Sequence, residues 1–181
     1  MTYYGGKELA NAFRTVRKNT IQIAEDIPEN KYDFRASPES RTIAQTLVHI
    51  AMGTTFPTHL HGNKISDMTT VNWQEIFAKI GAEEAAPRTK AEILALLKST
   101  GEKFAALLEP LPESFLAERL TFPTGAEPPS RTRFDMLLSA KEHEMHHRGQ
   151  LMMLERMVGV VPHLTRRMQE RMAQVQASTK A

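Results

Sequence analysis

Apolar residues that recur at intervals of three and four constrain this chain more than any other feature. Leu9, Phe13, Val16, Ile23 and Ile27, with Thr20 among them, form the first such stripe. At about 100° per residue they share one face of a helix, and a helix with one apolar face must bury it against another element. The stripe predicts a helix from about residue 7 to 26, stopped by Pro28, whose ring and missing N–H cannot continue it. Residues 29–41 read as a polar connection. Thr42-Ile43-Ala44-Gln45 has the form of a capping box, in which hydroxyl and amide satisfy orphan backbone donors; it opens a second helix reaching Pro57 or a little beyond. Gly62-Asn63-Lys64 is a turn signal.

Residues 64–88 form a long interhelical segment, in which Asn72 caps a short helix carrying Trp73 and Phe77 inward. Thr89-Lys90-Ala91-Glu92 is a second capping box. It opens a third helix striped by Ile93, Leu97, Thr100, Phe104, Leu107 and Leu108, and stopped at Pro110 and Pro112. Pro123-Thr124-Gly125 and Pro128-Pro129 mark a loop, and Thr132 with Asp135 caps a fourth helix reaching Val158. Residues 164–181, basic and Gln-rich, read either as a fifth helix or as a frayed tail. No stretch is a convincing strand. The expected architecture is all-α: one four-helix-bundle domain over residues 1–163 and a basic C-terminal tail over 164–181. The chain has 181 residues, 41 % of them hydrophobic, which suffices for a core without staples.

Composition removes several functions. With no cysteine there is no disulfide framework, no thiolate ligand and no cysteine nucleophile. Lys and Arg number 23 against 21 Asp and Glu, and no helix-turn-helix signal or dense basic stripe appears, so nucleic acid is not an expected partner. No apolar run is long enough to span a bilayer, so no membrane partner is expected. The start lacks a signal-peptide pattern, and the expected location is cytoplasmic.

The chemistry concentrates in histidine. On the fourth helix His143 and His147 lie about 40° apart, one turn above the other. Met136, Ser139, Ala140, Gln150, Leu151 and Leu154 share their face, which should turn inward. Two imidazoles at i and i+4 can converge on one metal ion. His49, on the face of the second helix with Gln45, Thr46, Met52, Gly53 and Phe56, offers a third ligand. Small residues beside these histidines leave room, and Thr46, Met52, Gly53 and Ser139 are the expected cavity lining. The residues alone also admit a bundle whose histidines are merely hydrogen-bonded core groups. His146 reads as an outer partner, an alternative ligand or rim, and Gln150 as a group that orients water. His59 and His61 are expected in solvent, His163 in a turn, and Glu142 and Glu144 on the surface.

The stretch Glu142-His143-Glu144-Met145-His146-His147-Arg148-Gly149-Gln150-Leu151 closely resembles the C-terminal motif of the DinB (DNA-damage-inducible, YfiT-like) family of bacterial four-helix proteins. Residues 27–35 and Leu47-Val48-His49-Ile50 are similar to that family's first-helix exit and second-helix histidine, and the resemblance spans residues 7–163. It implies helices running up, down, down and up. It also implies a divalent ion, commonly zinc or nickel, on His49, His143 and His147, and a homodimer. Relatives of this type include metal-dependent transferases and isomerases that use a low-molecular-weight thiol.

Three functional classes follow. One is a metal-dependent transferase in which an external thiol attacks a small electrophile; a metal-hydroxide hydrolase ranks below it, for want of a general base. The second is a metal- or small-molecule-binding protein without chemistry. The third is a structural bundle.

Overall fold

Helix starts fall where the sequence can satisfy orphan backbone donors. Thr42 accepts from the Gln45 N–H at 3.1 Å while the Gln45 side chain accepts from the Thr42 N–H at 3.0 Å. Thr89 and Glu92 repeat the exchange, and Thr132 accepts from the Asp135 N–H at 3.1 Å. The structure, a computed structural model, describes residues 4–179. In order the elements are α1 (Gly6–Asp26), α2 (Ile43–Met52), α3 (Thr55–Gly62), α4 (Trp73–Ala85), α5 (Lys90–Leu108), α6 (Glu113–Ala117), β1 (Arg119–Thr121), β2 (Ser130–Thr132), α7 (Arg133–Met157) and α8 (His163–Thr179). Among the described residues no helix is long and apolar enough to cross a membrane.

Side-chain pairs give the helix directions. Phe13 meets Phe104 near one end of α1 and Glu25 meets Lys98 near the other, so α1 and α5 are antiparallel. Tyr4 packs on Phe134 and Thr20 reaches Glu144, so α1 and α7 run parallel. His49 meets His147 while His61 meets Arg133, so α2 and α3 run against α7. The result is up, down, down, up, with α1 and α2 each packed against both α5 and α7. Because α2 and α5 run the same way, no tight turn can join them. Residues 63–89 make that crossover, and α4 within it lies on α2.

Two apolar clusters fill the bundle. One holds Ile23, Ile27, Leu47, Ile50, Leu97 and Leu151; the other holds Leu9, Phe13, Phe104, Leu108 and Leu137. Each fully buried side chain of this kind contributes roughly 1.5–3 kcal/mol. Between the clusters lies a charged pair. Arg17 is 3 % exposed and Glu144 1 % exposed. The Arg17 Nε donates to the Glu144 carboxylate at 3.0 Å, Nη1 to the Leu97 carbonyl at 2.7 Å and to Thr100, and Nη2 to the Ile50 carbonyl at 3.3 Å. The Thr20 hydroxyl donates to Glu144 at 2.7 Å. One guanidinium thus bonds to groups on α2, α5 and α7. Gly101 leaves it space, since a Cβ there would stand 2.7 Å from the Arg17 Cγ.

The structure corrects several expectations. The second helix breaks into α2 and α3 at Gly53 and Thr54. Pro57 is the cause, because it has no N–H to give the Gly53 carbonyl four residues back. A two-stranded antiparallel ribbon pairs Arg119 with Thr132 and Thr121 with Ser130; three residues per strand are too few to show alternation. Trp73 is half-buried beside Phe56, but Phe77 is exposed. Glu144 is not a surface charge, because it lies about 100° around the helix from His143 and so faces α1 rather than solvent. His61, expected in solvent, is 2 % exposed, because α3 packs on α7 and seats it against Arg133. His163 is the buried first residue of α8, 3.1 Å from the Asn19 side chain. The tail is helical through Thr179, with Arg166 paired to Asp26 at 2.6 Å and Met168, Met172 and Val175 exposed.

Two stability predictions follow from these buried charges. Arg17→Met strands a buried carboxylate and should cost about 3–5 kcal/mol, whereas Arg17→Met with Glu144→Leu should cost much less, because neither charge then remains unpaired. Urea unfolding of both variants measures this; equal losses would refute the coupling. Glu155 is also fully buried, with no hydrogen-bond partner for either carboxylate oxygen among the described residues. Burial, with Asp26 adding, pushes its pKa up to about 7, against Arg166 and Arg156. The folded chain therefore keeps this proton to higher pH than the unfolded chain, and stability falls between about pH 4.5 and 7. Glu155→Gln should remove that fall and stabilise the protein by roughly 2–3 kcal/mol at pH 8, with little effect at pH 4. Melting curves across pH test it.

Candidate metal centre

Three imidazoles on two antiparallel helices converge at one point. His143 and His147 stand one turn apart on α7, and His49 faces them from the last turn of α2. The His49 Nε2 lies 3.1 Å from the Nε2 of His143 and 3.1 Å from that of His147. Gly53 makes the approach feasible, since a Cβ there would come within 2.9 Å of the His143 ring.

The opposite ring nitrogens fix the tautomers. The His49 Nδ1 donates to the Glu84 Oε1 at 2.6 Å, and a carboxylate can only accept. The His147 Nδ1 donates to the Gln150 Oε1 at 2.8 Å, while the Gln150 amide nitrogen donates to the His146 Nε2 at 3.1 Å. Both ring hydrogens are therefore on Nδ1, and the Nε2 lone pairs of His49 and His147 face each other. Alone, such lone pairs repel; a cation between them turns the contact into ligation. With metal–nitrogen bonds of about 2.0–2.1 Å, ligand nitrogens stand roughly 2.9 Å apart at octahedral angles and 3.3–3.4 Å at tetrahedral ones. The spacing here falls between, so the residues fit a divalent transition ion. Among the described residues this trio could hold a metal, its ligand atoms lying within 4.8 Å of one another.

Electrostatics favour the ligating state. Burial, helped by the neighbouring histidines, lowers the His143 pKa to about 4. Burial also lowers that of His147, against the Gln150 hydrogen bond. Neutral imidazole is the form a metal requires.

The trio opens on three cavities. One of about 390 Å³ is walled by His49 and His143 with Met52, Phe56, Phe77, Ile80 and Arg41. A second, of about 230 Å³, lies between His143, Ser139, Met136, His61 and Arg131. A third, of about 810 Å³, carries Thr46, His147, Gln150, Met153 and Met157. Met52, Gly53, Ser139 and Thr46 thus line these spaces, although the Thr46 hydroxyl is occupied by the Thr42 carbonyl at 2.8 Å. His146 is exposed; it packs edge-to-face on His147, with ring centroids 4.9 Å apart, and accepts from Gln150. His59 is exposed.

Sequence reasoning missed Glu84 and Arg41. Glu84 comes from α4, inside the crossover, and Arg41 lies 3.4 Å from it. Nothing in sequence links a carboxylate 35 residues downstream to His49. Arg17 did leave a signal: a charge placed between Phe13 and Thr20, on the apolar side of α1, requires a buried partner.

One prediction tests the centre. His49→Ala with His147→Ala should abolish retention of about one equivalent of transition metal. Glu84→Gln should weaken affinity roughly 10–100-fold, because the His49 Nδ1–H loses its carboxylate acceptor. Chelator competition with elemental analysis measures both, and a Glu84→Gln protein of parental affinity would deny Glu84 that role.

Comparison with known proteins is consistent with this architecture. The family model described as the DinB superfamily matches residues 12–151. The uncharacterized protein YjoA of Bacillus subtilis is 29 % identical over 152 residues, covering 84 % of this chain and 90 % of YjoA. The crystal structure of that DinB-like protein superposes with a TM-score of 0.60 at 25 % identity, over 84 % of this chain and 92 % of the other. YfiT from Bacillus subtilis, described as a probable metal-dependent hydrolase with an unusual four-helix bundle topology, gives a TM-score of 0.66 at 17 % identity, covering 88 % and 91 % of the two chains. A mycothiol-dependent maleylpyruvate isomerase gives 0.63 at 11 % identity, over 83 % of this chain and 63 % of that one.

Proposed function

This chain belongs to the DinB superfamily, and from that membership and its three converging imidazoles we propose that it is a metal-dependent transferase joining a low-molecular-weight thiol to a small electrophile. The observation that carries the reading is the convergence of three Nε2 atoms beside separate cavities, with room for two reactants.

A divalent ion held by His49, His143 and His147 supplies a Lewis acid that lowers the pKa of a bound thiol or water. Zinc and nickel suit three imidazoles. In the transfer, sulfur forms a bond to the electrophilic carbon, the thiol proton passes to solvent, and the leaving group departs with its electron pair. The chain's own residues hold and aim. Glu84 and Gln150 lock the His49 and His147 rings through Nδ1. Met52, Phe56 and Ile80 form an apolar wall for the electrophile, with Arg41 at its edge. The thiol has to be external, since the chain contains no cysteine.

Among the described residues the carboxylate and hydroxyl nearest the trio are already engaged, which supports thiol over water chemistry. Glu84 lines the electrophile's cavity, but its carboxylate is engaged by the far nitrogen of His49 and by Arg41, so it orients a ligand. Ser139 donates to the Asp135 carbonyl. A hydrolase is the second reading, favoured by the likeness to YfiT, described as a probable metal-dependent hydrolase.

The test is turnover. Protein loaded with zinc or nickel is incubated with low-molecular-weight thiols and small electrophiles, and thioether formation is measured. Activity that vanishes in His147→Ala is expected. Ester or amide hydrolysis without thiol transfer would favour the hydrolase, and a loaded but inert protein would leave a metal- or ligand-binding role.

A further inference from the structure

His61 is a buried imidazole outside the metal trio, and its chemistry is unspent. It lies on α3 at 2 % exposure and forms part of the wall of the cavity of about 230 Å³ that also contacts His143. Its Nδ1 is 3.3 Å from the Nη1 of Arg133, itself 1 % exposed. A guanidinium offers only hydrogens, so the His61 Nδ1 must be the acceptor. The single ring hydrogen of the neutral imidazole then sits on Nε2. That Nε2 is buried and has no hydrogen-bond partner among the described residues.

An unmet buried donor costs about 1–3 kcal/mol, and native proteins keep few without a water or ligand to answer them. Arg133 is anchored elsewhere, to Glu118 at 2.8 Å and to the Lys64 carbonyl at 3.2 Å, so it holds the ring in place and does not fill the gap. Burial and the Arg133 charge lower the His61 pKa to about 4, so the ring stays a neutral donor near pH 7.

A second donor stands on the same cavity. Arg131 gives Nε to Asp135 at 2.5 Å and Nη2 to Ser139 at 3.0 Å, and its Nη1 makes no hydrogen bond among the described residues. Both arginines are paired, Arg131 with Asp135 and Arg133 with Glu118. Two donor-bearing residues thus stand on the wall of one cavity, with little net charge between them. Its other walls, Phe56, Met136 and Ala140, are apolar.

We propose that this cavity is a substrate subsite in which the His61 Nε2–H and Arg131 bind an acceptor oxygen, carbonyl or carboxylate, of a small organic molecule whose other end reaches the His143 side of the trio. The proposal rests on the metal-dependent reading above and names the class of its electrophile: a carbonyl- or carboxyl-bearing compound whose polar end lies here and whose short apolar body runs past Gly53 and Phe56, residues common to both cavities, toward the wall of Met52 and Ile80. At about 30 Å³ per water-sized group, the cavity admits roughly eight such groups. His61 would decide which end of the substrate lies at the metal.

The experiment is nitrogen-15 NMR of the histidine side chains in the full chain, metal-free and zinc-loaded, with acetate, acetamide and ethylamine as probes. The Nε2–H tautomer of His61 is expected from pH 6 to 8, with a saturable shift of its Nε2 signal on adding acetate or acetamide and none with ethylamine. Acetate alone acting would specify a carboxylate; both acting would specify the carbonyl oxygen. His61→Phe should weaken the acting probes about three- to tenfold, read from the Met136 methyl signal, and His61→Gln, which keeps a donor, should retain most of the affinity. An Nδ1–H tautomer, or an Nε2 held by water that none of the probes disturbs, overturns the proposal. The wild-type spectra decide it even where a variant does not fold. Metal content is measured on the same samples: a chain that binds no metal removes the transferase reading and leaves the His61 result legible, whereas a loaded chain with a silent His61 removes this inference alone.

Discussion

The ion pair of Arg17 and Glu144 sits where the two apolar clusters meet, and the rotation of α7 depends on it. Apolar faces tolerate a partner that slides or turns, since one aliphatic contact replaces another. A buried carboxylate does not, because any shift leaves it desolvated and unpaired. Glu144 pointing at α1 leaves His143, about 100° around the helix, and His147 one turn on to point at α2. The same guanidinium bonds to the Leu97 and Ile50 carbonyls, so the helix that carries His49 is tied to the same anchor. The geometry of the histidine trio is thus set by a charge pair that never touches it.

The topology contributes the next layer. Parallel α2 and α5 require a crossover, and the crossover brings α4 onto α2. There Glu84 reaches the far nitrogen of His49. On the other side Gln150, one turn along α7, serves His147 and His146 together. The break between α2 and α3, which Pro57 causes, delivers His61 to the neighbouring cavity, and Gly53, in the break itself, clears space for His143.

Legibility in the sequence followed the range of the interaction. The capping boxes at Thr42 and Thr89 and the starts of α2, α5 and α7 were readable, because caps act over three residues. The convergence of His143 with His147 was readable from one turn of helix, and His49 from its place on an apolar face. Glu84, Arg41 and the burial of His61 were not, because each depends on how separate helices stack. Glu144 was misplaced for a related reason: a wheel centred on the histidines assigns it outward, and only the position of α1 shows a third helix waiting there. The three-residue strands were too short to leave a periodic trace.

What the sequence determined by itself is therefore local: four amphipathic helices, their caps and breakers, and an i, i+4 histidine pair on an inward face. Those features rest on backbone hydrogen bonding and on a repeat of about 3.6 residues, both complete within a few turns of chain. The tertiary structure decided which helices neighbour one another, how far α7 is rotated, and which carboxylate, amide or guanidinium meets each histidine. Those choices are made by burial and charge pairing between segments far apart in sequence, whose free energies exist only once the helices are packed.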